Sequence, residues 1–383
     1  MAKIELIGVT KRFGKVTALN NINLEVHDKE FFVLFGPAGA GKTTLLNNIA
    51  GIQIPEEGMV KIGGNIVNQV DPAERNVAMV FENYALYPHM TVYDNIASPL
   101  RSPRYKKDEA YIKDAVNRVA ALMKIEMLLE RLPSQLSNGQ RQRVALGRAL
   151  VREPNVFLMD EPLAHLDAKL RNHLRSELKE MQAAFATTSI YVTHDFMEAM
   201  SLGDRIAIIN EGKIVQLGTG DEIYYMPCNE FVAQLMGDPE INLLPCTLEK
   251  AGNGYSVTWM GQKMALPENA ELFSRFAKGS GDLHMGIRPQ NAHYFFEPTP
   301  GAIKGTVYAF ETIGNKSVLT AQVGEEQLRM IAPNGLPVKL DQDVYVTFDI
   351  DRAIFFDAKT TEYIGRFDEA AIRELAASQA KEA

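Results

Sequence analysis

The stretch FFVLFGPAGAGKTTLLNNIAG, residues 31–51, decides the fold of the first half of this chain. Its five consecutive apolar residues, 31–35, are typical of a parallel strand that is buried on both faces. A glycine-rich turn follows, and residues 43–50 then predict a helix that ends at Gly51. A strand, a glycine loop and a helix in this order predict an α/β domain that binds phosphate groups.

Residues 36–43, GPAGAGKT, match the phosphate-loop pattern G-x-x-x-x-G-K-[ST] at every fixed position. Glycines let backbone N–H groups approach and surround phosphate oxygens. Lys42 supplies a positive charge to the β and γ phosphates, and Thr43 offers a hydroxyl to Mg²⁺. The helix that begins here also directs its positive end at the anion. The predicted nucleotide contacts from this loop are Gly36, Gly39, Ala40, Gly41, Lys42, Thr43 and Thr44.

Two carboxylates, Asp160 and Glu161, follow a second apolar run, VFLM, at residues 156–159. A buried strand would deliver both of them at its exposed tip. Asp160 suits coordination of Mg²⁺, directly or through a water, and Glu161 suits polarisation of the attacking water. His194 follows the run 189–192, which is predicted to lie beside the Asp160 strand, so that it can point at the γ phosphate. A solvated strand end and a structural histidine are the alternatives.

Length and composition predict two domains with full-sized cores, since the chain has 383 residues of which 46% are apolar. The net charge of −8 and the lack of a long Lys/Arg tract argue against nucleic-acid binding as the main activity. Cys228 and Cys246 lack metal-ligand spacing, so reduced structural thiols are expected. No signal peptide and no apolar run of about 20 residues is visible, which predicts a cytoplasmic chain that meets a membrane only through a partner.

Hydrophobic periodicity changes twice along the chain. Helical spacing dominates from about residue 88 to 154, with one helix predicted over 108–129, including Met127 on its apolar face, and another over 139–151. After residue 236, short strand-like runs broken by Gly, Pro and Asn predict a small antiparallel barrel or a barrel pair. A terminal helix or a frayed tail is expected over 369–383.

The segment LSNGQ, residues 136–140, is followed at once by Arg-Gln-Arg. Together with the motifs above, this ordered set resembles the ATPase subunit of an ABC transporter over nearly the whole chain. The stretches FENYALYPHMTV at 81–92 and MGIRP at 285–289 make it similar to the maltose-type, carbohydrate-uptake importer ATPases. The resemblance implies a P-loop ABC ATPase domain over 1–236 with a helical subdomain at about 88–154, and a C-terminal all-β, OB-like regulatory and dimerisation domain over 237–383.

The resemblance also implies roles for residues outside the phosphate loop. Phe13 matches the aromatic residue that stacks on adenine, with a packed loop aromatic as the alternative. Ser137 and Gly139, with Gln140 in the same segment, match residues that contact the γ phosphate bound to the opposite subunit. A serine near a helix start and a glycine N–H do form an anion site. Asp167 matches a loop that crosses the dimer interface. ATP and Mg²⁺ are the implied substrate and metal.

Glu82 stands where the family usually has a glutamine that contacts Mg²⁺ and the water. A carboxylate can still ligate Mg²⁺, but it cannot donate as an amide does. It also repels Glu161, by roughly 1 kcal/mol at 4 Å in water and about 4 kcal/mol at an effective dielectric constant of 20. We therefore hypothesise that Glu82 makes hydrolysis more dependent on Mg²⁺ and slower without a partner; a tolerated oxygen ligand is the alternative. Asn138 replaces the first signature glycine, and asparagine tolerates left-handed conformations.

The resemblance implies partners as well. These are a second ATPase subunit, expected to be an identical copy, two transmembrane permease subunits and, indirectly, an extracytoplasmic solute-binding protein. The chain is thus expected at the cytoplasmic face of a bacterial inner membrane. Residues 82–95 are the expected docking surface for a permease helix, although simple packing would also explain Tyr84, Tyr87 and Met90. Sugars, oligosaccharides, polyols and glycerol phosphates all remain open as the solute.

Two other functions compete with this interpretation. A non-transport ABC ATPase of DNA repair or translation usually carries a long coiled-coil insertion or two tandem ATPase domains, and neither is visible. A kinase or GTPase would leave the signature segment and His194 unexplained. The C-terminal β region is expected to be a dimer brace with regulatory contacts, with a small-ligand sensor as the alternative.

Overall fold

The computed structural model describes residues 2–103, 105–164, 166, 168–185, 187–251, 254–266, 270–273, 280–314 and 316–374. The chain forms two compact units, one through Gly220 and the other from Asp221 onward. The domain boundary expected from sequence, at residue 236, lies beyond two short helices that belong to the second unit. None of the described helices combines the length and the apolar character needed to cross a membrane.

The described residues of the first unit form ten strands in two sheets. Four strands form a sheet in the order β2-β1-β4-β5, and six form a sheet in the order β10-β9-β3-β8-β7-β6. The strands are β1 (Ile4–Phe13), β2 (Val16–Val26), β3 (Phe31–Phe35), β4 (Glu57–Ile62), β5 (Asn65–Ile66), β6 (Val77–Val80), β7 (Val156–Asp160), β8 (Thr188–Thr193), β9 (Arg205–Asn210) and β10 (Lys213–Gly218).

The centre of the larger sheet is parallel and wholly buried. Every residue of β3, β7 and β8 is buried, as the continuous apolar runs predicted. The register pairs Phe35 with Thr193 and Asp160 with Val192. The carboxyl ends of these three strands therefore meet at one edge of the sheet. The loops that follow them are brought together there, where open α/β sheets bind their ligands.

Six helices accompany these sheets: α1 (Lys42–Ala50), α2 (Val92–Arg101), α3 (Glu109–Leu122), α4 (Asn138–Leu150), α5 (Ala168–Phe185) and α6 (Phe196–Leu202). Helices α2, α3 and α4 contact one another and form the expected helical insert. Helix α1 stops at its C-cap Gly51, as predicted, and Gly51 has a left-handed conformation with φ of 84°.

The helix predicted over 108–129 is shorter than expected. Asp108 caps its start, but α3 ends at Leu122 and Lys124 adopts a left-handed conformation with φ of 55°. Residues 126–128 form a separate 3₁₀ turn, and Met127 is 91% exposed instead of lying on the apolar face. The side chain of Arg143 donates to the Met123 carbonyl at 2.7 Å. This hydrogen bond satisfies a carbonyl of the helix end and thus favours termination there.

In the part of the second unit that the structure describes, two short helices precede eleven antiparallel strands. The helices are α7 (Gly220–Tyr225) and α8 (Glu230–Leu235). The strands are β11 (Asn242–Ala251), β12 (Gly254–Trp259), β13 (Gln262–Ala265), β14 (Ser280–Ile287), β15 (Ala292–Phe295), β16 (Ile303–Ile313), β17 (Lys316–Val323), β18 (Glu326–Ala332), β19 (Asp343–Phe348), β20 (Ile354–Asp357) and β21 (Tyr363–Arg366). Residues 369–374 are helical, as expected for the tail.

These strands form two sheets around one apolar core. Their orders are β13-β12-β11-β14-β20-β21 and β15-β19-β16-β17-β18. Both sheets contribute buried residues to a common cluster that includes Trp259, Met285 and Leu319. Buried Arg288, of the MGIRP stretch, donates to the Ala233 and Tyr224 carbonyls and so ties the short helices to the sheets. The predicted all-β unit is therefore present.

Candidate nucleotide-binding and catalytic site

Two positions of the phosphate loop, residues 36–43, require glycine. A Cβ atom at Gly36 would lie 2.2 Å from the Ile209 carbonyl oxygen, far inside van der Waals contact. One at Gly41 would lie 2.6 Å from the Ala18 carbonyl oxygen, and Gly41 also has a φ of 107°. The loop thus passes close to two other backbone segments. Because these positions have no side chain, the loop backbone stays accessible to a ligand.

The start of helix α1 is suited to bind an anion. Gly41 is its N-cap and makes no side-chain capping bond, and its first turn carries no acidic residue. The orphan N–H groups and the helix dipole are thus available to a phosphate. Lys42 is buried, and its Nζ donates to the Gly36 and Pro37 carbonyls at 2.9 and 3.0 Å. Ala40 is buried, and its carbonyl accepts from the Gly212 N–H, while Thr44 is half-buried.

Thr43 and Asp160 provide two oxygen-bearing groups in direct contact, and the charge of Glu82 acts on Asp160. Thr43 Oγ1 donates to Asp160 Oδ1 at 3.2 Å. Burial raises the pKa of Asp160, and the negative charges of Glu161 and Glu82 raise it further. The hydrogen bond from Thr43 acts in the opposite direction and lowers this pKa. Glu82 is therefore close enough to Asp160 to act on it electrostatically. Hydroxyl and carboxylate oxygens with excess negative charge are the ligands that Mg²⁺ prefers, so these residues fit the predicted metal.

Glu161 and His194 are in direct contact. Glu161 Oε2 lies 2.7 Å from His194 Nδ1, and Glu161 Oε1 lies 3.5 Å from Lys42 Nζ. The Glu161 backbone has a φ of 45° and donates its N–H to the Val192 carbonyl at 3.1 Å. The carboxylate therefore stands in a strained conformation between the loops of β3 and β8, as is common at catalytic positions. The adjacency predicted for the Asp160 and His194 strands is confirmed by their register.

Phe13 lies at the turn between β1 and β2, with a side chain that is 48% exposed and the Lys11 ammonium 5.4 Å from its ring centroid. An exposed ring on a hairpin is available to stack on a base. It is therefore not a buried packing residue, which was the alternative for this position.

The signature segment, residues 136–140, forms the start of α4. Ser137 is the N-cap, its Oγ accepts from the Gln140 N–H, and the Gln140 side chain accepts from the Ser137 N–H. Asn138 is the first helical residue, and its φ is not positive. Tolerance of left-handed conformations therefore has no bearing on Asn138, contrary to the expectation from sequence. None of the described hydrogen bonds joins Ser137 or Gly139 to residues 36–43. Asp167 lies outside the described residues.

Three polar residues that bond to loops of the first unit carry no recognisable sequence signal. Asn95 on α2 is fully buried and bonds to the backbone of Tyr87 and to the carbonyls of Met90 and Thr91. Arg148 and Arg171 likewise donate to backbone or side-chain acceptors of loops near the site. Each stands on an amphipathic helix, where its residue type is typical of an ordinary surface position. Only their tertiary contacts identify them.

A groove of about 390 Å³ opens in the first unit between the β6 strand and the helical insert. Its walls include both apolar and cationic side chains. The residues that line it include Tyr87, Ser98, Tyr105, Arg148 and Arg152.

Known proteins share these features. Residues 19–164 match the model of the ABC transporter family. The trehalose/maltose import ATP-binding protein MalK of Thermococcus litoralis is 42% identical over 375 residues, which cover 95% of this chain and 100% of that protein. The sn-glycerol-3-phosphate import ATP-binding protein UgpC of Cereibacter sphaeroides is 42% identical over 361 residues, 94% of this chain and 99% of that protein.

The first unit also resembles solved structures. A dimeric ATP-binding cassette in a post-hydrolysis state, bound to ADP and Pi, has a TM-score of 0.52 at 31% identity and covers 56% of this chain and 98% of its own. A nucleotide-free cassette from an ABC transporter has a TM-score of 0.51 at 26% identity, with 57% and 92% covered. The phosphate loop, the paired carboxylates, the histidine and the full-length similarity agree: the chain belongs to the ABC transporter family and is one of its ATP-hydrolysing, nucleotide-binding subunits.

Proposed function

We propose that this chain energises the import of a carbohydrate, or of a related polyol or glycerol phosphate, by binding and hydrolysing ATP. The contact between Glu161 and His194 beside the Thr43–Asp160 pair carries the catalytic part of this proposal. The importer relatives named above, which match the chain over nearly its full length, support the transport part. A non-transport ABC ATPase is disfavoured, because neither relative is of that kind.

Each site residue has a distinct task in this proposal. Phe13 stacks on the adenine, and Lys42 with the N–H groups of residues 36–44 binds the phosphates. Glu161 accepts a proton from the attacking water, and His194 orients the Glu161 carboxylate and the γ phosphate. Thr43, Asp160 and Glu82 would hold Mg²⁺, which neutralises phosphate charge when bound. Lys42 already lies 3.5 Å from Glu161, so the phosphate-binding and water-activating groups are adjacent.

The active unit is proposed to be a dimer of two identical chains. Ser137, Gly139 and Gln140 of one copy would contact the nucleotide held by the Lys42 of the other, and Asp167 would lie at the same interface. The capped start of α4 supports this, because Ser137 is exposed at a helix end that attracts anions. The similarity to a cassette solved as a dimer with ADP and Pi also supports it.

The groove is proposed as the place where a cytoplasmic helix of a permease subunit docks. It is large enough to receive apolar and aromatic side chains, and it adjoins the expected docking stretch, residues 82–95. Two permease subunits and an extracytoplasmic solute-binding protein would complete the importer at the membrane. The all-β second unit would brace the dimer and carry regulatory contacts.

ATP-dependent dimerisation of Glu161→Gln tests the nucleotide-site part of this proposal. Loss of the general base should lower ATP hydrolysis by about 10²- to 10⁴-fold while ATP binding is retained, so that ATP-bound dimers accumulate. Light scattering with ATP and Mg²⁺ measures the dimer, and Glu153→Gln at an exposed position is the matched control. A second variant that adds Ser137→Ala should form fewer dimers. Dimer yield that does not depend on ATP would contradict the proposal.

Co-purification tests the transport part separately. The tagged chain, extracted with detergent from membranes of its native cell, should retain two integral membrane subunits in fixed stoichiometry. Recovery of the chain with ribosomes or DNA-repair proteins, and without membrane subunits, would favour the non-transport alternative.

A further inference from the structure

The turn that carries Glu82 is followed by strained backbone. The Tyr84 N–H donates to the Phe81 carbonyl at 2.9 Å and closes a turn around Glu82. Tyr84 and Ala85 then have φ values of 60° and 44°. Left-handed conformations are unfavourable for residues with a side chain, and especially for a large one such as tyrosine. Two in succession persist only where surrounding groups stabilise them. Residues 81–85 are called the Glu82 turn below.

Arg148, in the last turn of α4, contacts both strained residues. Its Nη2 donates to the Tyr84 carbonyl at 3.0 Å, and its Nη1 donates to the Ala85 carbonyl at 2.8 Å. The planar guanidinium presents two parallel N–H groups, which match two neighbouring carbonyls better than an ammonium would. The guanidinium carbon also lies 5.4 Å from the centroid of the Tyr87 ring. The bond to the Tyr84 carbonyl is partly buried, so water competes less for it than for the exposed bond to the Ala85 carbonyl.

Helix α4 joins this contact to the signature segment. Ser137 caps the start of the helix, and Arg148 lies near its other end, 11 residues along a single element of 13 residues. The helix is therefore about 20 Å long and continuous between the two sites. A displacement of the Glu82 turn would have to move the signature segment or break the two Arg148 hydrogen bonds.

We propose that Arg148 is a positioning residue, which holds the Glu82 turn in its strained conformation and fixes Glu82 relative to the signature segment. This inference rests on the proposed role of Glu82 at the nucleotide site. Because Arg148 also lines the groove, a helix seated there would meet the same guanidinium. Arg148 would then be the group through which an occupant of the groove acts on Glu82.

Steady-state ATP hydrolysis tests the positioning role. Arg148→Met removes both donors but keeps a long side chain, and we expect kcat to fall about 10- to 100-fold because a displacement on the order of 1 Å is costly at an active site. KM for ATP should change little, since the phosphate loop is not touched. Arg148→Lys, which keeps the charge, should give an intermediate kcat. Arg118→Met, at an exposed arginine of the same helical insert, is the control. A wild-type kcat in Arg148→Met would overturn the inference.

Glycine at position 85 tests whether Arg148 acts by holding strained backbone. In the Ala85→Gly background one of the two left-handed residues needs no support, so the fall in Tm caused by Arg148→Met should be smaller than in the wild-type background. If Arg148 only fills space, the fall in Tm will be the same in both backgrounds, and the inference is wrong. Arg148→Lys in both backgrounds gives the same comparison if Arg148→Met does not fold.

Glu82→Ala separates this inference from the function on which it rests. Wild-type hydrolysis in Glu82→Ala would refute the proposed role of Glu82, whereas the coupling between positions 85 and 148 in Tm would still decide whether Arg148 holds the turn. Impaired hydrolysis in Glu82→Ala together with normal hydrolysis in Arg148→Met would refute the positioning role alone.

Discussion

The phosphate loop and the Glu82 turn both contain left-handed backbone, but they maintain it in different ways. In the phosphate loop the left-handed positions are Gly39 and Gly41, with φ of 78° and 107°. In the Glu82 turn they are Tyr84 and Ala85. Glycine adopts this conformation without steric cost, whereas each other residue costs roughly 1–2 kcal/mol.

The difference separates a shape that is encoded locally from one that is imposed by neighbours. The phosphate loop keeps its conformation through its own residues, so that its N–H groups are ready before a ligand arrives. The Glu82 turn depends on contacts from Arg148 of α4, and the stretch directly after it depends on Asn95 of α2. A turn held in this way is able to relax when its neighbours move, which suits a site that reports on a partner.

The largest effect is expected where a glycine of the phosphate loop is also sterically confined. Gly41→Ala would place a methyl group 2.6 Å from the Ala18 carbonyl oxygen, so the backbone must move. We expect at least about a 100-fold loss of ATP hydrolysis. In Gly39→Ala the added methyl group would meet no atom within 4 Å. This variant should therefore be destabilised only by the cost of a left-handed alanine, about 1–2 kcal/mol. Steady-state ATP hydrolysis measures both variants, and equal losses would contradict the distinction between steric confinement and backbone conformation.

The next effect concerns a neighbour that supports the stretch after the Glu82 turn. Asn95→Ala leaves the Tyr87 N–H and three carbonyls without their amide partner, and we expect a loss of about 1–3 kcal/mol in the free energy of unfolding. Urea denaturation of the first unit measures this loss. Asn117→Ala, on the exposed side of α3, should change stability by less than about 0.5 kcal/mol. If the two variants are equally stable, the turn region does not depend on Asn95.

A smaller effect is expected at Glu82 itself. The negative charge of Glu82 contributes to the raised pKa of Asp160, and a proton on Asp160 competes with Mg²⁺. Acid therefore weakens metal binding as the pH falls through this raised pKa. Glu82→Gln removes one negative neighbour, lowers the pKa of Asp160 and should move the acid limb of the activity profile to lower pH. At neutral pH the rate should change by less than about tenfold, since the amide keeps an oxygen ligand. An unchanged Mg²⁺ titration at both acidic and neutral pH would refute the special role of Glu82.

The smallest effect is a gain. Ala85→Gly removes a strain of roughly 1–2 kcal/mol but adds about 0.5–1 kcal/mol of unfolded-state entropy, so a net stabilisation of about 0.5–1 kcal/mol is expected. Ala110→Gly, at an exposed helical position of α3, should instead destabilise by about 0.5–1 kcal/mol. Thermal unfolding of both variants measures whether each substitution raises or lowers stability. A loss of stability in Ala85→Gly would mean that position 85 is not strained in solution.

Local patterns were sufficient for the parts of the site that lie on the sheet. The apolar runs before Gly36 and Asp160 predicted buried parallel strands, and parallel strands present their loops at one edge, which brought Asp160, Glu161 and His194 together. The phosphate loop was predictable because its glycines encode its own conformation. The family resemblance added Phe13 and the signature segment, whose positions follow no periodicity.

Tertiary contacts account for what sequence missed. The segment around Lys124 contains no glycine or proline that would predict a helix end. The end of α3 therefore depends on the bond between Arg143 and the Met123 carbonyl. The left-handed Tyr84 and Ala85 have side chains that predict ordinary backbone, and Arg148 stabilises them from a helix 63 residues away in sequence. Asn138 was expected to use its tolerance of left-handed backbone, but it begins a right-handed helix. The end of α3 and the left-handed turn each depend on a partner distant in the chain, whereas the start of α4 is capped locally by Ser137 and Gln140.

The cap of α4 uses part of the bonding capacity of the Ser137 hydroxyl. Its oxygen accepts the Gln140 N–H with one of two lone pairs, so the hydroxyl hydrogen and the second lone pair remain available. Accepting this bond polarises the O–H group and makes it a better donor. A serine that starts a helix is thereby prepared to donate to a phosphate oxygen before any second subunit arrives.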